Sequence, residues 1–175
     1  RDPLWSRGLG DVYKRQALNI GARSAYVMSK FVAPIMVENK SGLIIQTSST
    51  GGYLYLFEAA YGVAHAAIDR LTTDMAIELE PHNVKSITLS PVGGCVTEIA
   101  SFPDGESTDY VGRAVVALAE NASQEELEEI NGKVVFTAEL ADKYKFFENG
   151  DSTGEVNDSR IKDAPYRPCD TPCRE

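Results

Sequence analysis

The sequence predicts an α/β fold in which a parallel sheet is covered by helices. Three observations carry that expectation. Apolar residues recur at helical spacing in three stretches, short runs rich in β-branched residues alternate with them, and those runs show no polar face. Helices alternating with strands of that kind imply parallel pairing through helical crossovers.

The elements follow in order. "AYVMSKFVAPIMVE" (25–38) is apolar at 27, 28, 31, 32, 35 and 36, which predicts a helix that Ser41 and Gly42 end. "LIIQTSS" (43–49) reads as a buried strand running into the loop "TSSTGG". A helix over roughly 59–80 comes next, with Val63, Ala67, Ile68, Leu71, Met75 and Leu79 along one side and Pro81 closing it. "VKSITLSP" (84–91) is a second strand, ending at a turn with proline and two glycines. "DYVGRAVVALAEN" (109–121) is a third helix, and the glutamate-rich "QEELEE" (124–129) a solvated helix or loop. "GKVVFTAEL" (132–140) is a third strand, leading into the short helical "ELADKYKFF".

Both ends stand apart. Residues 1–16, "RDPLWSRGLGDVYKRQ", have neither helical nor strand period and read as a non-native, linker-like leader. Residues 17–148 form the domain. Residues 149–175 are polar, with Pro165, Pro168 and Pro172, and read as a tail without packed structure.

Composition narrows the function. A net charge of −9 argues against nucleic-acid binding, which needs a basic face. No apolar run approaches the length of a membrane span, and no secretory signal is visible, so a cytoplasmic location is expected. Cys95 stands alone, and Cys169 and Cys173 lie far from the two histidines. Neither a disulfide framework nor a metal site is expected.

In parallel α/β sheets, chemistry gathers in the loops at the strand C-termini. Those loops are "TSSTGG" and "SPVGGCVTE", and Tyr61 begins the helix after the first. A serine and a tyrosine placed there can flank a carbonyl oxygen, the serine hydrogen-bonding it and the tyrosine acting as general acid or base. Free tyrosine titrates near pH 10, so that role calls for a nearby cation. The plainer reading leaves Tyr61 a structural hydroxyl and Ser49 a cap.

"LIIQTSS", the twelve-residue step from Ser49 to Tyr61, and "SPVGG.VTE" resemble the C-terminal half of a short-chain dehydrogenase/reductase. "NIGARSAY", "YGVAHAAIDRL" and "GKVVFTAELADKY" resemble most closely that family's member-one subgroup. The resemblance spans about residues 18–148. It implies a Rossmann-like three-layer sandwich with the N-terminal half of the fold missing, and an oxidoreductase that interconverts a carbonyl and an alcohol on a small molecule. The cofactor is NADP or NAD, with a lean to NADP. Ser49 matches the substrate-orienting serine and Tyr61 the catalytic acid/base. Gly93 and Thr97 match the loop that contacts the nicotinamide end, where Val92 is an insertion. The family's helices corresponding to 25–38 and 61–80 pair between subunits, so the intact protein is expected to be a homo-oligomer.

Three departures accompany the match. His65 occupies the position of the lysine that lowers the tyrosine pKa and bonds the nicotinamide ribose. Histidine is shorter and carries far less charge at neutral pH. Gly21 replaces an asparagine of the proton relay. The glycine-rich pyrophosphate loop, G-x-x-x-G-x-G, is found nowhere in the sequence. A chain starting at the fourth or fifth strand is expected to expose an apolar sheet edge, to fold poorly alone and not to hold the cofactor. Two readings therefore stand side by side: part of a working oxidoreductase, or a catalytically dead member with a binding or regulatory role.

Overall fold

The computed structural model describes residues 17–102 and 105–148. The expectations for 1–16 and 149–175, with Cys169 and Cys173, lie outside them.

A π-helical turn, Asn19–Arg23, leads into α1 (Ser24–Asn39), which ends where Lys40 turns left-handed at φ 53°. β1 (Gly42–Thr47) follows, then α2 (Ala59–Leu79), then β2 (Val84–Ser90). A two-residue ribbon joins β3 (Cys95–Val96) to β4 (Glu106–Ser107). α3 (Thr108–Val116), the short α4 (Gln124–Glu129), β5 (Val134–Phe136) and α5 (Thr137–Tyr144) complete the described chain.

β1, β2 and β5 form one parallel sheet in that order. β1 lies on β2 from Gly42↔Val84 to Thr47↔Leu89, and β5 on its far edge from Thr88↔Val134 to Ser90↔Phe136. All seven residues of β2 are buried. On one face Ile44 and Val84 pack with Met75 and Leu79 of α2, and with Val32 and Met36 of α1. On the other, Ile87, Leu89 and Val135 pack with Ala114, Leu127 and Leu140 of the helices that follow. The molecule is a three-layer helix–sheet–helix sandwich.

The layer facing α1 and α2 changes character along the strands. It is apolar at their N-terminal ends and polar toward their C-terminal ends. There Gln46 Nε2 donates to Ser29 Oγ at 2.8 Å, and Thr88 Oγ1 donates to Thr72 Oγ1 at 2.8 Å. Buried hydroxyls and amides must be paired among themselves, so this polar seam fixes the seating of both helices just below the strand tips.

The structure refines the sequence expectations at four places, and at three of them it departs from them. The third strand is only Val134–Phe136, because Glu139 accepts the Phe136 N–H at 3.2 Å and starts α5 at Thr137. Of the helix or loop expected at 124–129 the structure has the helix, with a complete capping box, Ser123 Oγ accepting from Glu126 N and Glu126 Oε2 accepting from Ser123 N. The inner face of α2 is Ala60, Ala64, Ile68, Thr72, Met75 and Leu79, whereas Val63 is 58% exposed. The apolar stripe of α1 splits: Val32 and Met36 face the sheet, but Met28, Phe31 and Ile35 face outward.

One carboxylate lies inside. Asp69 on α2 is 2% exposed and neither oxygen accepts a hydrogen bond. A Cβ built on Gly52 would lie 2.6 Å from Oδ2, so the loop after β1 sits directly over it. Burial pushes the Asp69 carboxyl up from 3.8 to about 6, the Ser48 hydroxyl beside it tempering the rise. Because the folded value lies above the ordinary one, the folded protein holds this proton more tightly than the unfolded chain. The contribution of this group to stability is full below about pH 4 and is lost as the pH rises through about 6, a swing of about 3 kcal/mol. Asp69→Asn should therefore stabilise the fold more at pH 8 than at pH 4.5. Urea unfolding of both forms at the two pH values checks this; an equal gain at both would sink the assignment.

Candidate active site

The tips of β1 and β2 open onto a cleft of about 750 Å³, a volume suited to a small-molecule ligand. Ser49, Tyr61 and Gly93 all line it. His65 and Thr97 do not.

The first wall is a tight turn. After β1, Ser48 N still bonds Leu89 O at 2.9 Å, which carries the sheet pairing to the edge of the cleft. Ser49 then caps a 3-10 turn, Thr50–Gly52, its Oγ accepting the Gly51 N–H at 3.2 Å. The capping job and a place in the cleft coincide in one hydroxyl. Tyr61, in the first turn of α2, lies against Gly51 so closely that a Cβ there would come 2.4 Å from its ring and 3.6 Å from Ser49 Oγ. Only glycine fits between the serine and the tyrosine.

A file of rings continues from Tyr61. Phe57, held at φ 58°, meets it edge-on at 5.0 Å and meets Phe102 at 6.4 Å. On the other side His65 lies 4.1 Å from the Tyr61 ring at 38°. His65 Nδ1 stands 2.8 Å from the Tyr61 carbonyl. A carbonyl can only accept, so Nδ1 carries a proton, and in the neutral ring Nε2 is an acceptor. The lysine expected at this position would offer only donors. Gly21, in the π-helical turn before α1, packs beside Ala64; a Cβ there would meet Ala64 Cβ at an ordinary 3.4 Å.

The second wall is the loop Pro91–Gly94. Gly94 adopts φ +77°, and a side chain there would press on the Phe102 ring at 3.2 Å. Cys95 lines the cleft, but burial, with the Glu106 and Glu148 carboxylates, pushes its thiol up, which leaves it a poor nucleophile at neutral pH. Thr97 is exposed in a turn of its own, its N donating to Ala100 O at 2.8 Å and its Oγ1 accepting from Ala100 N at 3.1 Å.

Sequence reasoning overlooked Glu106. It is 6% exposed, and its Oε1 accepts the N–H groups of Val92 at 2.7 Å and Gly93 at 3.4 Å, while Oε2 accepts from Thr137 Oγ1 at 2.6 Å. Its only trace in the sequence is an acidic residue in a short polar segment, which periodicity does not separate from a solvated one. Among the described residues no three His, Cys, Asp or Glu side chains converge where a metal ion could bind. No described helix is long and apolar enough to cross a membrane.

Comparison with known proteins bears on this arrangement. The human dehydrogenase/reductase SDR family member 1 is 34% identical over 146 residues, which cover 72% of this chain and 45% of that protein. The chain thus spans about half the length of the curated relatives it matches. Among solved structures, acetoin dehydrogenase YohF from Salmonella typhimurium superposes with a TM-score of 0.62 at 21% identity, over 72% of this chain and 55% of that one. 4-Hydroxyisoleucine dehydrogenase, complexed with NADH and succinate, superposes with a TM-score of 0.63 at 22% identity, over 73% of this chain and 58% of that one. These two likenesses establish the fold. The family model described as short chain dehydrogenase matches residues 10–103, more than half of the sequence. The parallel sheet, the cleft at its strand tips and this match together make the chain a member of the short-chain dehydrogenase family.

Proposed function

We propose that the chain is the catalytic portion of an NAD(P)(H)-dependent oxidoreductase that interconverts a carbonyl and an alcohol on a small molecule in the cytoplasm. The observation that carries this reading is the joint placement of Ser49 and Tyr61, on either side of Gly51, in one cleft. In the reducing direction the Tyr61 hydroxyl donates a proton to the carbonyl oxygen, and the Ser49 hydroxyl hydrogen-bonds and orients that oxygen. In the oxidising direction Tyr61 accepts the proton. The cofactor, when bound, supplies or takes up the hydride. Its nicotinamide end would face the Gly93 loop across the cleft, whereas Thr97 stands outside the cleft, beyond β3 in a turn with Ala100. The lean to NADP rests on resemblance. Replacement of the Tyr61 hydroxyl, Tyr61→Phe in the intact protein, should lower turnover about 100-fold or more with little change in melting temperature. Undiminished turnover would remove Tyr61 from the reaction.

His65 favours a second reading, a member that keeps the fold without the catalysis. Its ring is stacked on Tyr61 and hydrogen-bonded to the helix backbone, where the family places an ammonium. If imidazolium supplies the missing charge, turnover with NADPH or NADH rises as the pH falls, and His65→Lys flattens that profile. If the wild type shows no turnover at any pH and His65→Lys creates it, the second reading holds.

The homo-oligomer belongs to the same proposal. An α-helix apolar on all sides needs covering on all sides. α1 buries one face on the sheet and still presents Phe31 at 69% and Ile35 at 60% exposure, and α2 likewise leaves Val63 and Ile77 exposed. A second copy laid against these helices would cover them. Phe31→Glu with Ile35→Glu should leave the fold intact and shift the intact protein toward monomer in sedimentation velocity. An unchanged sedimentation coefficient would exclude this surface.

A further inference from the structure

The loop Pro91–Gly94 carries one residue more than the family pattern, and extra loop length is ordinarily extra freedom. Here that freedom is removed by one side chain. Glu106 enters from β4 and takes the N–H groups of Val92 and Gly93 on a single carboxylate oxygen. Its own N–H returns to Gly94 O at 2.8 Å. Three successive residues of the loop are thus bracketed by one glutamate. The other carboxylate oxygen is anchored by Thr137 Oγ1 at the start of α5, so the clamp is referred to the third strand of the sheet and not to another loop. Hydrogen bonds to a charged acceptor are about twice as strong as neutral ones, and their strength grows away from water.

We propose that Glu106 is a positioning residue for cofactor binding: it sets the conformation in which Gly93 and Gly94 meet the nicotinamide end, and compensates for the inserted Val92. Glu106 lines no part of the cleft itself, so it acts through the loop. The proposal rests on the oxidoreductase reading above and assigns this loop its support.

The test uses the intact protein with Glu106→Ala and Glu106→Gln. Hydrogen–deuterium exchange of the peptide spanning 88–96 reads the clamp without any cofactor, and fluorescence titration with NADPH and NADH reads its consequence. In Glu106→Ala, exchange at Val92 and Gly93 should quicken at least tenfold while the peptide spanning 66–76 of α2 stays protected. Cofactor affinity should fall about tenfold. Glu106→Gln keeps an acceptor oxygen in the same place and should recover most of both. Unchanged exchange at 92 and 93 in Glu106→Ala overturns the clamp. Quickened exchange with unchanged cofactor affinity overturns the positioning role alone. If wild type binds neither cofactor while the exchange result holds, the oxidoreductase reading fails and the positioning role fails with it, the clamp remaining as a fact of the fold.

Discussion

The constraint on which the rest of the structure depends is that β2 has a neighbour on both edges and is shut from water on both faces. Seven consecutive buried residues have no solvent to satisfy their backbone, so every N–H and C=O must find a neighbour. β1 supplies them along one edge and β5 at the C-terminal end of the other, and below β5 Asn131 Oδ1 accepts the Ser86 N–H at 2.9 Å while Gly132 N donates to Ser86 O at 2.8 Å. Both walls of the cleft leave the sheet within a residue or two of this ladder. Ser48 is still bonded to Leu89, and Pro91 follows Ser90 directly. The site stands directly on a strand buried along its whole length.

Much of this was legible in the sequence, for definite reasons. Strands without a polar face can only be central, and helices between them can only cross over in parallel, so the architecture followed from the pattern of residues 25–146. Ser49, Tyr61 and Gly93 could be placed on one edge because strand C-termini share an edge in such a sheet. Other features resisted. Hydrophobicity alone does not say which way a helix faces when it is apolar all round, and so it separates neither Val63 from the buried face of α2 nor the outward half of the α1 stripe from the inward half. The strand expected at 132–140 stops at Phe136 because a capping glutamate three residues on, Glu139, outranks β-propensity at Thr137. Glu106 was invisible because a buried carboxylate is defined by its partners, and those lie 13, 14 and 31 residues away in the chain.

The two residues that depart from the family pattern differ in their physical consequences. At Gly21 a Cβ would meet only ordinary contacts, so nothing in the packing around it calls for glycine. At position 65 the imidazole has acquired a structural place: one nitrogen is tied to the backbone and the ring ends a file that runs through Tyr61 and Phe57 to Phe102. Exchanging it for an aliphatic amine would alter charge and stacking together, and those two effects act on the same phenol.

The two walls of the cleft are built on opposite principles. One is crowded: Tyr61 rests on a bare backbone at Gly51, and any side chain there would have to displace the ring. The other is braced: Pro91–Gly94 takes its shape from a carboxylate that arrives from a different element. Descendants of this sequence would therefore be free to drift on the second wall, where a change in the loop can be answered by a change in its brace. On the first wall there is no second residue to answer with. The serine, the glycine and the tyrosine form a block whose middle member leaves no room for substitution, so this side of the pocket changes as a unit or not at all.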